Sequence, residues 1–297
     1  MHYSASRGVD VPEYPAAGAR IDYFLADAAT SPVQLSIRDA AGNVVRQYSS
    51  ADAPPKHDVA TAGTAPEWFT TPSTLATGAG LHRFIWPLQY PALPALAGGD
   101  AYADGAWAPP GKYTVALAVD GKTYTQPLTI APDPRVHLAA DTYARQFAFA
   151  REIEGTQARL ATAQAQAKRL HAAIKSAAGA GMPALRAPLA TLDASIVALA
   201  GLQDSPNPYN AWSAGSPGTR SLAFLSQALG KIAQAADDAD AEPSPDARSG
   251  HAVLLPTVET VLAQWQGLLD KDLPAVNAQL RSAGLAELSA EPAAKVH

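Results

Sequence analysis

Residues 109–135, PPGKYTVALAVDGKTYTQPLTIAPDPR, carry two strands and the exit from them. Tyr113, Val115, Leu117 and Val119 alternate with Thr114, Ala116, Ala118 and Asp120. That period of two gives one apolar face and one small or polar face. Asp120-Gly121 suits the positive backbone angles of a type I′ turn. Tyr124, Leu128 and Ile130 continue the returning strand. Pro127 cannot donate to a ladder, so this strand belongs at a sheet edge or a bulge. Pro109-Pro110-Gly111 is a turn entry. Pro132 and Pro134 disfavour both strand and helix, so the chain leaves the sheet there.

Working outward from this hairpin, the N-terminal side reads as β structure. Residues 1–17 form an extended, proline-bearing lead-in. ARIDYFL (19–25), VQLSI (33–37), VVRQY (44–48) and LHRFIW (81–86) each have strand character, with turn residues at Asp39 to Asn43. Residues 49–80 and 87–108 are irregular and rich in Ala, Pro and Gly, pinned to the body by aromatics such as Trp68, Phe69, Tyr102 and Trp107. About six or seven short strands over 18–134 imply an Ig-like antiparallel β-sandwich.

After Pro134 the period changes. Residues 137–178 contain no proline, and Phe147, Ile153, Leu160, Leu170 and Ile174 lie on a helical stripe. A second helix covers about 183–202 and a third about 220–236. Asp237 to Pro245 is an acidic loop, and Asp272-Leu273-Pro274 interrupts a fourth helix. Residues 135–286 therefore read as an antiparallel helical bundle, with 287–297 as a frayed tail. The loop 204–219 offers Tyr209 and Trp212 as lids.

The chain has 297 residues, enough for two domains, with 47% apolar and 16% charged residues. A net charge of −5 argues against a nucleic-acid partner, which needs a basic footprint. The absence of cysteine excludes disulfides and thiolate metal sites. No run of eighteen apolar residues predicts a membrane span. The start, MHYSASRGVDVPEYP, lacks the apolar region of a signal peptide, which implies a cytoplasmic protein or a piece of a longer chain.

No catalytic residues stand out. The seven histidines include no HxxxH or HExxH pair, and no GxSxG, GxGxxG or P-loop occurs. His171 and His251 could meet between helices but read as boundary residues. Glu152 and Glu154 point to different sides of a helix. Asp237, Asp238, Asp240 and Glu242 faintly resemble a calcium loop but lack its glycine and spaced last ligand. No cofactor or metal is expected. Trp68, Trp86 and Trp107, with Tyr90 and Tyr102, fall in or beside the sandwich loops and offer a carbohydrate-binding platform; the alternative is that they cap the core.

VQLSIRDAAGNVVRQYSS, GLHRFIWPLQYP and PPGKYTVALAVDGKTYTQPLTI together resemble the Ig-like domain of flagellar hook-capping proteins and its secreted relatives. The matching segments are Asp39 to Val45, Gly80 to Trp86 and Pro110 to Val115; Pro87 stands where that module has an acidic residue. ARIDYFL before them, IAPDPRV after them and the ending Trp265 through Asp272-Leu273-Pro274-Ala275-Val276-Asn277 to Leu280 are similar to the C-terminal region of bacterial proteins with sialidase-type (BNR) or sortilin-like repeats. Those proteins bear a glycosyl hydrolase label and an exported location. The propeller that would hold their active site has no counterpart in these residues, so the resemblance carries over no catalytic residue. It implies a non-catalytic accessory module that packs on a β-propeller partner. A carbohydrate-binding module is the alternative, and a glycoside hydrolase built from scattered carboxylates the third.

Overall fold

The structure, a computed structural model, describes residues 17–54, 72–98, 100–178, 183–202, 220–237 and 239–291. Antiparallel sheets occupy the N-terminal part and helices the C-terminal part. The chain divides into two compact units, Met1–Ala148 and Phe149–His297. The division falls inside the first long helix, whereas the sequence suggested a boundary ahead of it.

The first unit contains β1 (Ala19–Leu25), β2 (Gln34–Asp39), β3 (Val44–Ser49), β4 (Gly80–Trp86), β5 (Gln89–Pro91), the short helix α1 (Pro94–Ala97), β6 (Asp104–Trp107), β7 (Gly111–Val119) and β8 (Lys122–Ile130). One sheet has the order β3-β2-β7-β8, a second pairs β1 with β4, and a third pairs β5 with β6. The expected hairpin is in place, with Leu117 opposite Tyr124 and Thr114 opposite Pro127. Its turn has φ of 46° at Asp120 and 78° at Gly121, the paired positive angles of a type I′ turn. β8 is the last strand of its sheet, which is where Pro127 does no harm. The β5–β6 hairpin and α1 lie in what the sequence suggested was an irregular crossover.

The two larger sheets share one core. Leu35 and Ile37 from β2, Val45 and Tyr48 from β3, Phe84 and Trp86 from β4 and Tyr113 and Val115 from β7 are buried in it. Each such side chain contributes roughly 1.5–3 kcal/mol by leaving water. Trp86 packs edge-on against Tyr113 at 5.8 Å. The Tyr113 hydroxyl donates to the Pro109 carbonyl at 2.6 Å, and burial pushes its phenol up to about 12.

Arg46 is the unexpected core residue, only 1% exposed. It donates to the carbonyls of Tyr90 (2.7 Å) and Ala101 (3.1 Å) and to Asp104 Oδ1 (3.1 Å). Its guanidinium also lies 5.0 Å from the centre of the Tyr48 ring. A planar fork with several donors fits three acceptors where lysine could not. The side chain thereby fastens the crossover 87–108 against β3.

The second unit draws on α2 (Ala140–Ala178), α3 (Pro183–Ala200), α4 (Leu222–Asp237), α5 (Pro245–Gly267), a π-helical turn (Leu268–Asp272) and α6 (Leu273–Ser282). In α2, Phe149, Ile153, Thr156, Leu160, Ala163, Ala167, Leu170 and Ile174 are all buried. Their steps alternate between four and three residues, which keeps one stripe facing the core. They meet Leu189 and Ile196 of α3, Leu225 and Leu229 of α4, and Val258 and Trp265 of α5 in a single cluster.

α3 is long and apolar enough to cross a membrane, with mean hydropathy 1.2, but its stripe of Leu185, Leu189, Leu192 and Ile196 is buried among the other helices. α5 starts at Pro245, capped by Ser244, whose hydroxyl accepts from Ala247 N at 3.1 Å. It continues without a break through Gly250 and Pro256, two residues that ordinarily weaken a helix. The interruption expected at Asp272-Leu273-Pro274 is the π turn, in which Leu273 N–H donates to the Leu268 carbonyl. The tail is not frayed over its described part. Leu288 and Ala290 are buried, and Asn277 holds Leu288 by both backbone groups, at 2.9 and 2.8 Å.

Candidate binding surface

A candidate site is a groove of about 760 Å³ between β1 and the β7–β8 hairpin. Every residue from Arg20 to Ala28 lines it, whereas β7 contributes the alternate residues Val115, Leu117 and Val119. Successive side chains of a strand point to opposite faces. A wall made of consecutive residues is therefore the backbone edge of β1, and a wall made of alternate residues is a sheet face. β8 adds Lys122, Tyr124, Gln126 and Leu128 to that face. Among the described residues β1 pairs with β4 alone, so its edge toward the groove has no strand partner.

One end of the groove is latched. Asp120 Oδ1 accepts from Thr30 N (3.0 Å), Thr30 Oγ1 (2.9 Å), Ser31 N (2.9 Å) and Ser31 Oγ (2.8 Å). These bonds, with the Ser31 hydroxyl first among them, hold the Asp120 carboxyl below its ordinary value. The latch ties the β7–β8 turn to the loop after β1. The distal hairpin extends past its cover, leaving Tyr124 58% exposed.

The outer face of β1–β4 carries a second apolar feature. Phe24 and Leu81 are cross-strand partners and are 69% and 75% exposed. Beside them Arg83 makes a two-pronged bond to Asp22, at 2.7 and 2.8 Å, which holds the Asp22 carboxyl below its ordinary value.

The three tryptophans do not form one platform. Trp86 is fully buried, and its Nε1 donates to the Gln89 carbonyl at 3.0 Å. It belongs to the core because it is an inward-facing strand residue, so it offers no ring face to a sugar. Trp107, on β6, is 50% exposed. Trp68 lies outside the described residues, as do Phe69, Tyr209 and Trp212. Tyr102 is buried against Tyr48, and Tyr90 stacks on Phe147 at 5.0 Å.

The polar candidates find separate partners. His171 Nδ1 meets Asp193 Oδ1 at 2.6 Å, and His251 Nδ1 lies 3.7 Å from Glu152 Oε1. Glu154 pairs with Arg151, and Glu242 with Arg248. Among the described residues no three histidine, aspartate or glutamate side chains gather as metal ligands would. The groove, the Phe24–Leu81 pair and buried Arg46 carried no motif; only Phe24, an apolar residue on the face that Arg20 and Asp22 make polar, hinted at the second. Comparison with family models, curated proteins and solved structures finds no match.

Proposed function

We propose that the chain is a non-catalytic accessory module, an Ig-like β-sandwich followed by an antiparallel helical bundle, that assembles with a β-propeller protein of the sialidase-repeat type. The observation that carries this reading is the outward Phe24–Leu81 pair. Two large apolar side chains left facing outward opposite each other on a sheet face form a surface that a partner can cover. The resemblance supports the partner class: its three segments fall on the β2–β3 turn, β4 and β7, and its closing segment runs from buried Trp265 through the π turn to α6.

The test is co-expression of the chain with a sialidase-repeat propeller encoded beside it. A complex that co-elutes, and that Phe24→Asp and Leu81→Asp abolish without loss of helix or sheet signal, is the expected result. Failure to co-elute, or hydrolysis of glycosides by the isolated chain, overturns the reading. The carbohydrate-binding alternative draws on exposed Trp107; a glycan array without a hit that Trp107→Ala removes ends it.

A further inference from the structure

We infer that the groove beside β1 receives an extended peptide segment of the partner, added as a strand to the free edge of β1; this rests on the interaction-module reading. The two sheets that share the core have four outer edges. The edge of β3 faces the crossover that Arg46 fastens. The edge of β4 is covered where Ile85 N donates to Ser73 Oγ at 2.7 Å. The edge of β8 carries Pro127, which blunts further pairing. Among the described residues β1 has no such protection: it contains no proline, and its edge opens onto an apolar floor.

The chemistry of the two walls selects the occupant. An unpaired strand edge asks for backbone amides and carbonyls, which an extended peptide supplies along its whole length. The floor of Val115, Leu117, Val119 and Tyr124 asks for apolar side chains at alternate positions. β1 has seven residues, so the pairing spans roughly 23 Å. The Asp120 latch closes the groove at the end where β1 finishes, which limits the segment to about that length.

Charge sets the direction. Asp27 lies at the closed end and Arg20 at the open end. A segment antiparallel to β1 brings its C-terminal end to Arg20, where an acidic residue on the outward face sits opposite the guanidinium. The outward residue four positions nearer its N-terminus sits opposite Phe24, continuing the outer apolar pair.

The experiment uses the whole chain. Phage-displayed random peptides are selected on it, and one enriched peptide is synthesised. Amide hydrogen exchange is then compared with and without that peptide, and with Tyr124→Asp and Arg20→Glu variants. The expected result is a period-two apolar consensus with a C-terminal acidic residue, slowed exchange at alternate β1 amides, and about tenfold weaker binding by either variant. Tyr124 and Arg20 are exposed, so neither substitution should unfold the chain. No selected peptide, or one that leaves the β1 amides unchanged, overturns the proposal. Concentration-dependent protection of the same amides without peptide identifies a second copy of the chain as the occupant and overturns it too. If a propeller co-elutes but the peptide fails to compete, strand addition fails while the module reading stands.

Discussion

Replacing Arg46 by methionine tests whether a buried cation organises the crossover. Methionine keeps the length of the apolar stem but removes the donors to the Tyr90 and Ala101 carbonyls and to Asp104. Hydrogen bonds to a charged group are each worth about 1.5–3 kcal/mol, and breaking a fully buried pair costs about 3–5 kcal/mol. Asp104 is 38% exposed at its side chain, so water recovers part of its solvation. The expected loss is therefore about 2–4 kcal/mol, smaller than the sum of the bonds. The chain has two units, so a single unfolding curve mixes them. Amide exchange in β3, β5 and β6 reads the affected region alone.

The pH dependence has a definite sign. Burial raises the Asp104 carboxyl, and Arg46 pulls it back down. A carboxyl raised on folding contributes stability below its unfolded pKa and loses it as pH rises through the folded value. Without Arg46 the carboxyl rises further, so the deficit of the variant is largest near neutrality and shrinks as pH falls through the carboxylate range. A change below about 0.5 kcal/mol, or a deficit that grows in acid, would refute the reasoning.

Further outcomes follow from particular contacts. Leu160→Ala, at a fully buried position of α2, should cost about 2–5 kcal/mol in urea unfolding followed by helical circular dichroism. Gly18→Ala should destabilise the β1–β4 pair, since φ there is +133° and a methyl would collide with the Trp86 carbonyl; raised exchange in both strands checks it. The Asp133 carboxyl, held down to about 2 chiefly by its hydrogen bond from Arg135, should titrate near there by NMR and return toward the ordinary range in Arg135→Gln.

The sequence carried the β7–β8 hairpin in full, because alternation, a turn dipeptide and a misplaced proline all point the same way. It carried the α2 stripe for the same reason, with alanines and Thr156 filling the steps between larger residues. It did not carry β5 and β6. Short strands inside a proline-rich segment have too few residues to show a period. Arg46 was hidden by its type: a charged residue in VVRQY reads as solvated, and only the tertiary cover over β3 buries it. Trp86 was misplaced because a strand-terminal aromatic next to a loop looks the same whether it faces in or out. The groove at β1 is a relation between strands far apart in sequence, which no local pattern encodes.

The π turn at Leu268–Asp272 gives the C-terminal part of the chain one residue of slack. Leu273 N–H reaches the Leu268 carbonyl, the place that Asp272 would take in an α-helix, so the turn holds one residue more than an ordinary one. Removing one residue inside it would close it to an α-helical turn and leave Leu273 and everything after it in phase. Each residue advances an α-helix by about 100°. Removing one residue just after the turn, between Pro274 and Val276, would swing Asn277 through that angle, and both bonds that hold the returning tail would be lost together. A scan of single-residue deletions should therefore find the turn itself tolerant and the first residues of α6 intolerant.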